Sequence, residues 1–377
     1  MAAPWERYLE RWTREGLIEA PVAQRIRAYE AEQDEAQGLR WPVLLTIGLG
    51  GLLLGAGVLL FVGAHWDTLS PSARFGLVLL LVAIFHLGGA ALGDRFSALS
   101  TTLYAVGTIC LGAGIFLAGQ IFNLQEHWPG GVMLWALGAW IAWALLRDWP
   151  QAALVAVLTP MWLGAEWSEA TRGMIGSEKV LAEGLLLLAV TYLTALVPEK
   201  ETTVRKALVW IGGLAVIPLT FYVIVSGRIF IPGQGVPLPD SYAVLGWSAA
   251  FMLPLALAWW LRGSAAWMNV LAALWVAVLG MMNQPFLRDE NLSMYTLLAL
   301  GSTGLIAWGL KEARKERINL GVAGFALTVL FFYFSNVMDK LGRSASLIGL
   351  GLLFLLGGWL LEKTRRRLVA RLEEGRA

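Results

Sequence analysis

The chain has 377 residues, 57% of them hydrophobic and only 15% charged, with a formal net charge of +2. A soluble globular domain carries about 25% charged residues, so this composition excludes an ordinary soluble protein. The single cysteine, Cys110, excludes a disulfide framework or a cysteine metal site within one chain.

Residues 1–40 are polar and stand apart. Trp5, Tyr8, Leu9 and Trp12 share one helical stripe, Gly16 breaks it, and Val22, Ile26 and Tyr29 form a second stripe. This predicts a small cytoplasmic helical pair. It either docks on the membrane surface or a protein partner, or packs on itself or the cytoplasmic face. The N-terminal stretch has charges throughout and no apolar h-region, so no signal peptide is expected and insertion falls to the first spanning helix.

From Trp41 onward continuous apolar runs recur, not the alternating segments of a β-barrel. The expected fold is all-α, a polytopic transmembrane helical bundle of about twelve spans occupying residues 41–362. The spans fall near 42–64, 74–92, 99–121, 130–146, 150–166, 179–196, 207–226, 241–261, 265–282, 293–310, 318–336 and 345–362. Ser70-Pro71 is an N-cap followed by a first-turn proline, and Pro129 and Pro150 open the fourth and fifth spans in the same way. Pro160, Pro218 and Pro254 lie inside spans, and the Gly/Pro-rich loop at 227–240 reads as an outer lid or re-entrant segment.

Orientation follows the basic residues. With the N-terminus inside and an even number of spans, about 22 of the 29 Lys and Arg fall on cytoplasmic segments, including the basic tail 363–377. An odd number would place that tail outside. The tail is positive-inside charge, so no nucleic-acid partner is expected.

"LGAG" occurs at Leu54–Gly57 and again at Leu111–Gly114, each copy opening a run that ends in His-Trp. Either this marks parallel helix-hairpin repeats near 42–92 and 99–146, with a fainter relative at 318–362, or small residues were selected twice for close helix packing.

The stretches "YLERWTREGLIEAPVAQRIRAYE", "LLLGAGVLLFVGAHWDTLSPSAR" and "GAGIFLAGQIFNLQEHWPGGVMLWALGAW", with the closing "MDKLGRSASLIGLGLLFLLGGWLLEKTRRR", resemble a bacterial predicted-membrane-protein family catalogued as domain of unknown function 2157. The resemblance implies a multi-pass protein of the bacterial inner membrane. It implies no activity.

Several spans end outside in polar groups: His65, Asp67, Gln120, Asn123, Gln125, Glu126, His127, Glu166, Asn283, Gln284, Asp289, Asn336 and Asp339. If these ends converge they line an outward-facing polar pocket; otherwise they are interfacial residues beside Trp66 and Trp128. No ligand spacing supports a metal, so no metal and no other cofactor are expected. Two ionisable residues lie within spans. Glu183, one turn from Lys179, suggests snorkelling with local pairing. His86 suggests either a neutral ring bonded to a backbone carbonyl or a proton relay. No catalytic motif appears, and an enzyme is the less favoured reading. Three functions stay open: a transporter-like or small-molecule/lipid-binding protein, a scaffold in an envelope complex docking through residues 1–40, and an intramembrane enzyme on a lipid-linked substrate.

Overall fold

The computed structural model describes Leu9, residues 11–36, 70–93, 96–121, 127–197, 201–226, 236–282 and 292–336, with isolated positions within 46–60 and 349–359. The chain divides into two compact units, Met1–Ala113 and Gly114–Ala377.

In the first unit, a helical turn at 11–14 closes at Gly16, whose φ is 72°. Leu17 N–H donates to Trp12 O at 2.9 Å and Gly16 N–H to Thr13 O at 3.3 Å. That bond pair, with a left-handed residue between, is a Schellman closure, and glycine adopts it without steric cost. Helix α1 (Ala20–Ala36) follows. Helix α2 (Pro71–Leu92) opens as its sequence predicts: Ser70 Oγ accepts from Ala73 N–H at 3.3 Å and Pro71 fills the first position. Helix α3 (Ser97–Ile121) packs on it through small residues. Ser100 Oγ donates to Gly89 O at 2.6 Å, while Phe85, Val106 and Cys110 form the core beneath. The second LGAG copy lies in α3; of the first, only Gly57 is among the described residues.

The second unit continues with α4 (Pro129–Leu146) and α5 (Trp149–Ala170), an antiparallel pair packed through Ala136, Ala139, Val155 and Leu158. Then come β1 (Met174–Ile175), α6 (Ser177–Leu193), α7 (Thr203–Ser226) and β2 (Val236–Pro237). After these, α8 (Asp240–Arg262), a 3₁₀ turn at Gly263–Ala266, α9 (Trp267–Met281), α10 (Leu292–Lys311) and α11 (Lys315–Asn336) complete the described elements. The two short strands pair in parallel, Met174 with Val236 and Ile175 with Pro237. They tie the end of the 227–240 loop to the α5–α6 connection; residues 227–235 lie outside the described residues.

Helix α6 is the hub. It packs against α5, α7, α8 and α9, and Ala182, Leu186 and Val190 anchor the largest core cluster. Gly212 of α7 makes the α6–α7 approach possible, since a Cβ there would collide with the backbone of Ala189 and Leu193. Pro160, Pro218 and Pro254 all sit inside helices, as expected.

Among the described residues, seven helical stretches are long and apolar enough to cross a bilayer, one of them the 42-residue run Asp240–Met281 that α8 and α9 share. The fold is therefore an all-α membrane bundle. Helices α5 and α6 fall outside those seven. With 17 residues, α6 is ~26 Å long at about 1.5 Å per residue, short of a ~30 Å hydrocarbon core. Helix α5 runs four residues beyond its expected end; Glu166 stands at that end and Glu169 in the extension.

Candidate functional site

Helix α6 ends at Thr194, and its last carbonyls point at three connections that the chain brings to one end of the bundle: 194–205, 262–267 and 311–317. Arginines from all three serve those carbonyls. Arg262 Nη1 donates to Thr194 O, Arg317 Nη2 to Thr194 O at 3.4 Å and Leu196 O at 3.3 Å, and Arg205 Nη1 to Ala195 O at 2.7 Å. A helix C-terminus is the negative end of its dipole, so cations are favoured there. Glu312 joins two of them. Its Oε1 accepts from Arg262 Nη2 and its Oε2 from Arg317 Nη1, both at 2.6 Å, and Trp308 Nε1 also donates to Oε1 at 2.6 Å. Burial would raise the Glu312 carboxyl; the hydrogen bonds from Arg262, Arg317 and Trp308 and the Arg317 charge outweigh it and hold the carboxyl below its ordinary range. Arg314 Nη1 pairs with Glu201 at 2.6 Å, and Asn269 Nδ2 donates to Thr194 Oγ1 at 2.9 Å. Four arginines face two glutamates, so this end is cationic. Arg262 Nε, Arg317 Nε, and Arg314 Nε and Nη2 are buried without a partner.

Trp308 connects that cluster to a cavity. The guanidinium carbons of Arg262 and Arg317 lie 5.2 and 5.3 Å from its ring centroid. Its ring also closes one end of a cavity of about 380 Å³ between α7, α9, α10 and α11. The walls are Val216, Ile217 and Phe221 of α7, Leu271 and Trp275 of α9, Leu297 and Leu305 of α10, and Leu320, Leu327 and Phe331 of α11. The polar groups there mostly turn onto backbone: Thr220 donates to Val216 O at 2.7 Å, Thr328 to Gly324 O at 2.8 Å and Trp275 Nε1 to Leu297 O at 2.9 Å. The cavity thus offers apolar surface, with Trp308 between it and the arginines, none of which lines it.

At the opposite end of α6, His127 Nε2 meets Glu166 Oε2 at 2.9 Å, and Trp162 Nε1 donates to Glu166 Oε1 at 2.9 Å. Trp128 Nε1 donates to Glu169 at 3.0 Å, as does Arg172 at 2.5 Å. So the structure brings together His127 and Glu166 of the expected outer pocket. Gln120 is exposed near the end of α3, and Asn336 is the last residue of α11. His65, Asp67, Asn123, Gln125, Glu126, Asn283, Gln284, Asp289 and Asp339 lie outside the described residues.

His86 is bonded as the carbonyl reading requires: Nδ1 lies 2.8 Å from Val82 O, so that nitrogen carries the hydrogen. Gly107 of α3 leaves room for its ring. Glu183 departs from expectation. It is 2% exposed, within the bundle, and forms no ion pair with Lys179; snorkelling does not describe it. The Arg262–Glu312–Arg317 cluster and the cavity were not anticipated from the sequence.

Residues 10–153 match the model of a family described as "Predicted membrane protein (DUF2157)". That match agrees with the resemblance of the N-terminal stretches and ends within α5, so the cationic end and the cavity lie beyond it. No curated protein matches the chain, and no solved structure does.

Proposed function

We propose that this membrane protein binds an amphiphile, whose acyl part fills the cavity between α7, α9, α10 and α11 and whose anionic head lies toward Trp308 and the arginines. The cavity carries the reading. Its volume of about 380 Å³ and its apolar walls suit a chain-like ligand, and Trp308 in its lining carries the guanidinium groups of Arg262 and Arg317 against its ring, beside the cavity. A scaffold needs no such space, and an enzyme needs reactive groups that this lining lacks. Binding, not transport, is what these features support.

The same end supports an orientation. The three connections that meet there are all cytoplasmic if the chain crosses about twelve times with both termini inside, the arrangement that also follows the positive-inside rule. On this reading α5, α6, α8 and α9 are each a crossing, and the membrane is a bacterial inner membrane.

Native mass spectrometry of the protein extracted gently from its own membrane tests the binding. Gly304 lines the cavity and a Cβ there meets nothing within 4 Å, so Gly304→Leu places its added side chain on an open position of the cavity wall. The wild type is expected to retain a stoichiometric amphiphile and G304L to lose it. Equal retention by both, or none by either, overturns the reading.

A further inference from the structure

We infer that Glu183 is a proton-binding site inside the bundle, a carboxyl lying in the seam between α6 and α9 against Gly280. The inference is independent of the amphiphile reading. Three observations carry it. Glu183 is 2% exposed. Its Oε1 is buried and has no hydrogen-bond partner. A Cβ on Gly280 would overlap that oxygen, so the carboxyl rests directly on the α9 backbone.

The surroundings decide what the carboxyl holds. On the same two helices, Ala182 and Leu186 of α6 and Val276 and Leu279 of α9 belong to the largest apolar core cluster. Helix α9 carries no titratable side chain. In the same half of the bundle α5 contributes Glu166 and Glu169, which are engaged with His127, Trp162, Trp128 and Arg172. Helix α7 contributes Tyr222, α8 Asp240 and Tyr242, and α10 Tyr295. On α6 itself Glu178 precedes Lys179, whose charge acts on Glu183 through space. An ionised carboxylate with an orphan oxygen in such a place is costly, and the ordinary remedy is protonation. A metal cation needs about six oxygen ligands, and among the described residues no group of three or more His, Cys, Asp or Glu gathers to hold one. The proton is therefore the occupant. The group adds no hydrogen bond through Oε1 to the fold, so a packing role would be filled as well by an apolar residue.

Dicyclohexylcarbodiimide, which reacts with protonated carboxyls in apolar surroundings, provides the test on the full chain in its native membrane. Peptide mass spectrometry reads the site and rate of labelling between about pH 5 and 9. The expected result is a label at Glu183 that persists at about pH 6 and slows by about tenfold per pH unit above its midpoint. Sodium ions should leave the rate unchanged, and Glu183→Gln should remove the label at that site. The same variant should unfold at an unchanged or higher temperature, since an amide replaces a neutral acid of the same shape. No label at Glu183, a rate already lost at about pH 5 as for a water-exposed carboxylate, protection by sodium, or a lowered melting temperature in E183Q would each overturn the assignment.

Discussion

The two ends of α6 use the same residue types in opposite ways. At the Thr194 end, the Arg262 and Arg317 side chains are 0% and 1% exposed and share Glu312. At the Ser177 end, the His127 side chain is 55% exposed and Arg172 73%, each beside a glutamate of α5. The geometry of the pairs is similar; the surroundings are not. Buried charges that are hydrogen-bonded to backbone carbonyls hold three connections together, and losing one partner strands the others. Exposed pairs are screened by water and salt and contribute little. Contact distance alone does not tell which end matters to the fold.

That contrast can be broken most severely at Glu312. Glu312→Ala removes the shared partner of Arg262 and Arg317 and is expected to destabilise the protein by about 3–5 kcal/mol, read as a large fall in melting temperature in detergent. Acid probes the same pair. Because the folded carboxyl is held below its unfolded value, its contribution is complete above the ordinary carboxylate range and disappears as pH falls through the lowered value. Wild-type stability should fall with acidification over that window, and Glu312→Gln should flatten the response. A smaller loss, about 1–2 kcal/mol, is expected for Asn269→Ala, which takes the hydrogen bond from buried Thr194 Oγ1. At the other end His127→Ala should change stability by less than about 1 kcal/mol, with the difference erased by added salt. A fall there as large as that of Glu312→Ala would show that exposure does not separate the ends.

Local chemistry made much of the fold legible. Ser70-Pro71, Gly16 and the three mid-span prolines each act within a turn or two, and each stands where its side chain or missing donor dictates. The helical membrane character came from composition, which needs no tertiary knowledge. The Arg–Glu cluster was not readable in the same way. Arg262 and Arg317 are each 68 and 123 residues from the carbonyl of Thr194 that they share. In sequence Arg317 belongs to "KEARKER", a run that looks like ordinary positive-inside charge. That run holds two acids, Glu312 and Glu316, and nothing local marks Glu312 as the one the arginines share. Glu183 misled for a related reason. Lys179 one turn away suggested a local pair, whereas Gly280 on another helix provides the space that draws the carboxyl inward.

The crown of arginines over α6 also has a consequence in time. A chain made from its N-terminus produces α6 well before Arg262, and later still Arg317, exist to meet the carbonyls at its end. Until then those carbonyls must be served by water at the interface. The end of α6 therefore matures last, when the start of α11 arrives. The beginning of that helix works as a latch on a segment made long before it. A chain shortened ahead of Lys315 would keep the bonds of Arg262, Arg205 and Arg314 to the 194–205 connection yet lose those of Arg317 to Thr194 O and Leu196 O, leaving that connection looser and more open to proteolysis.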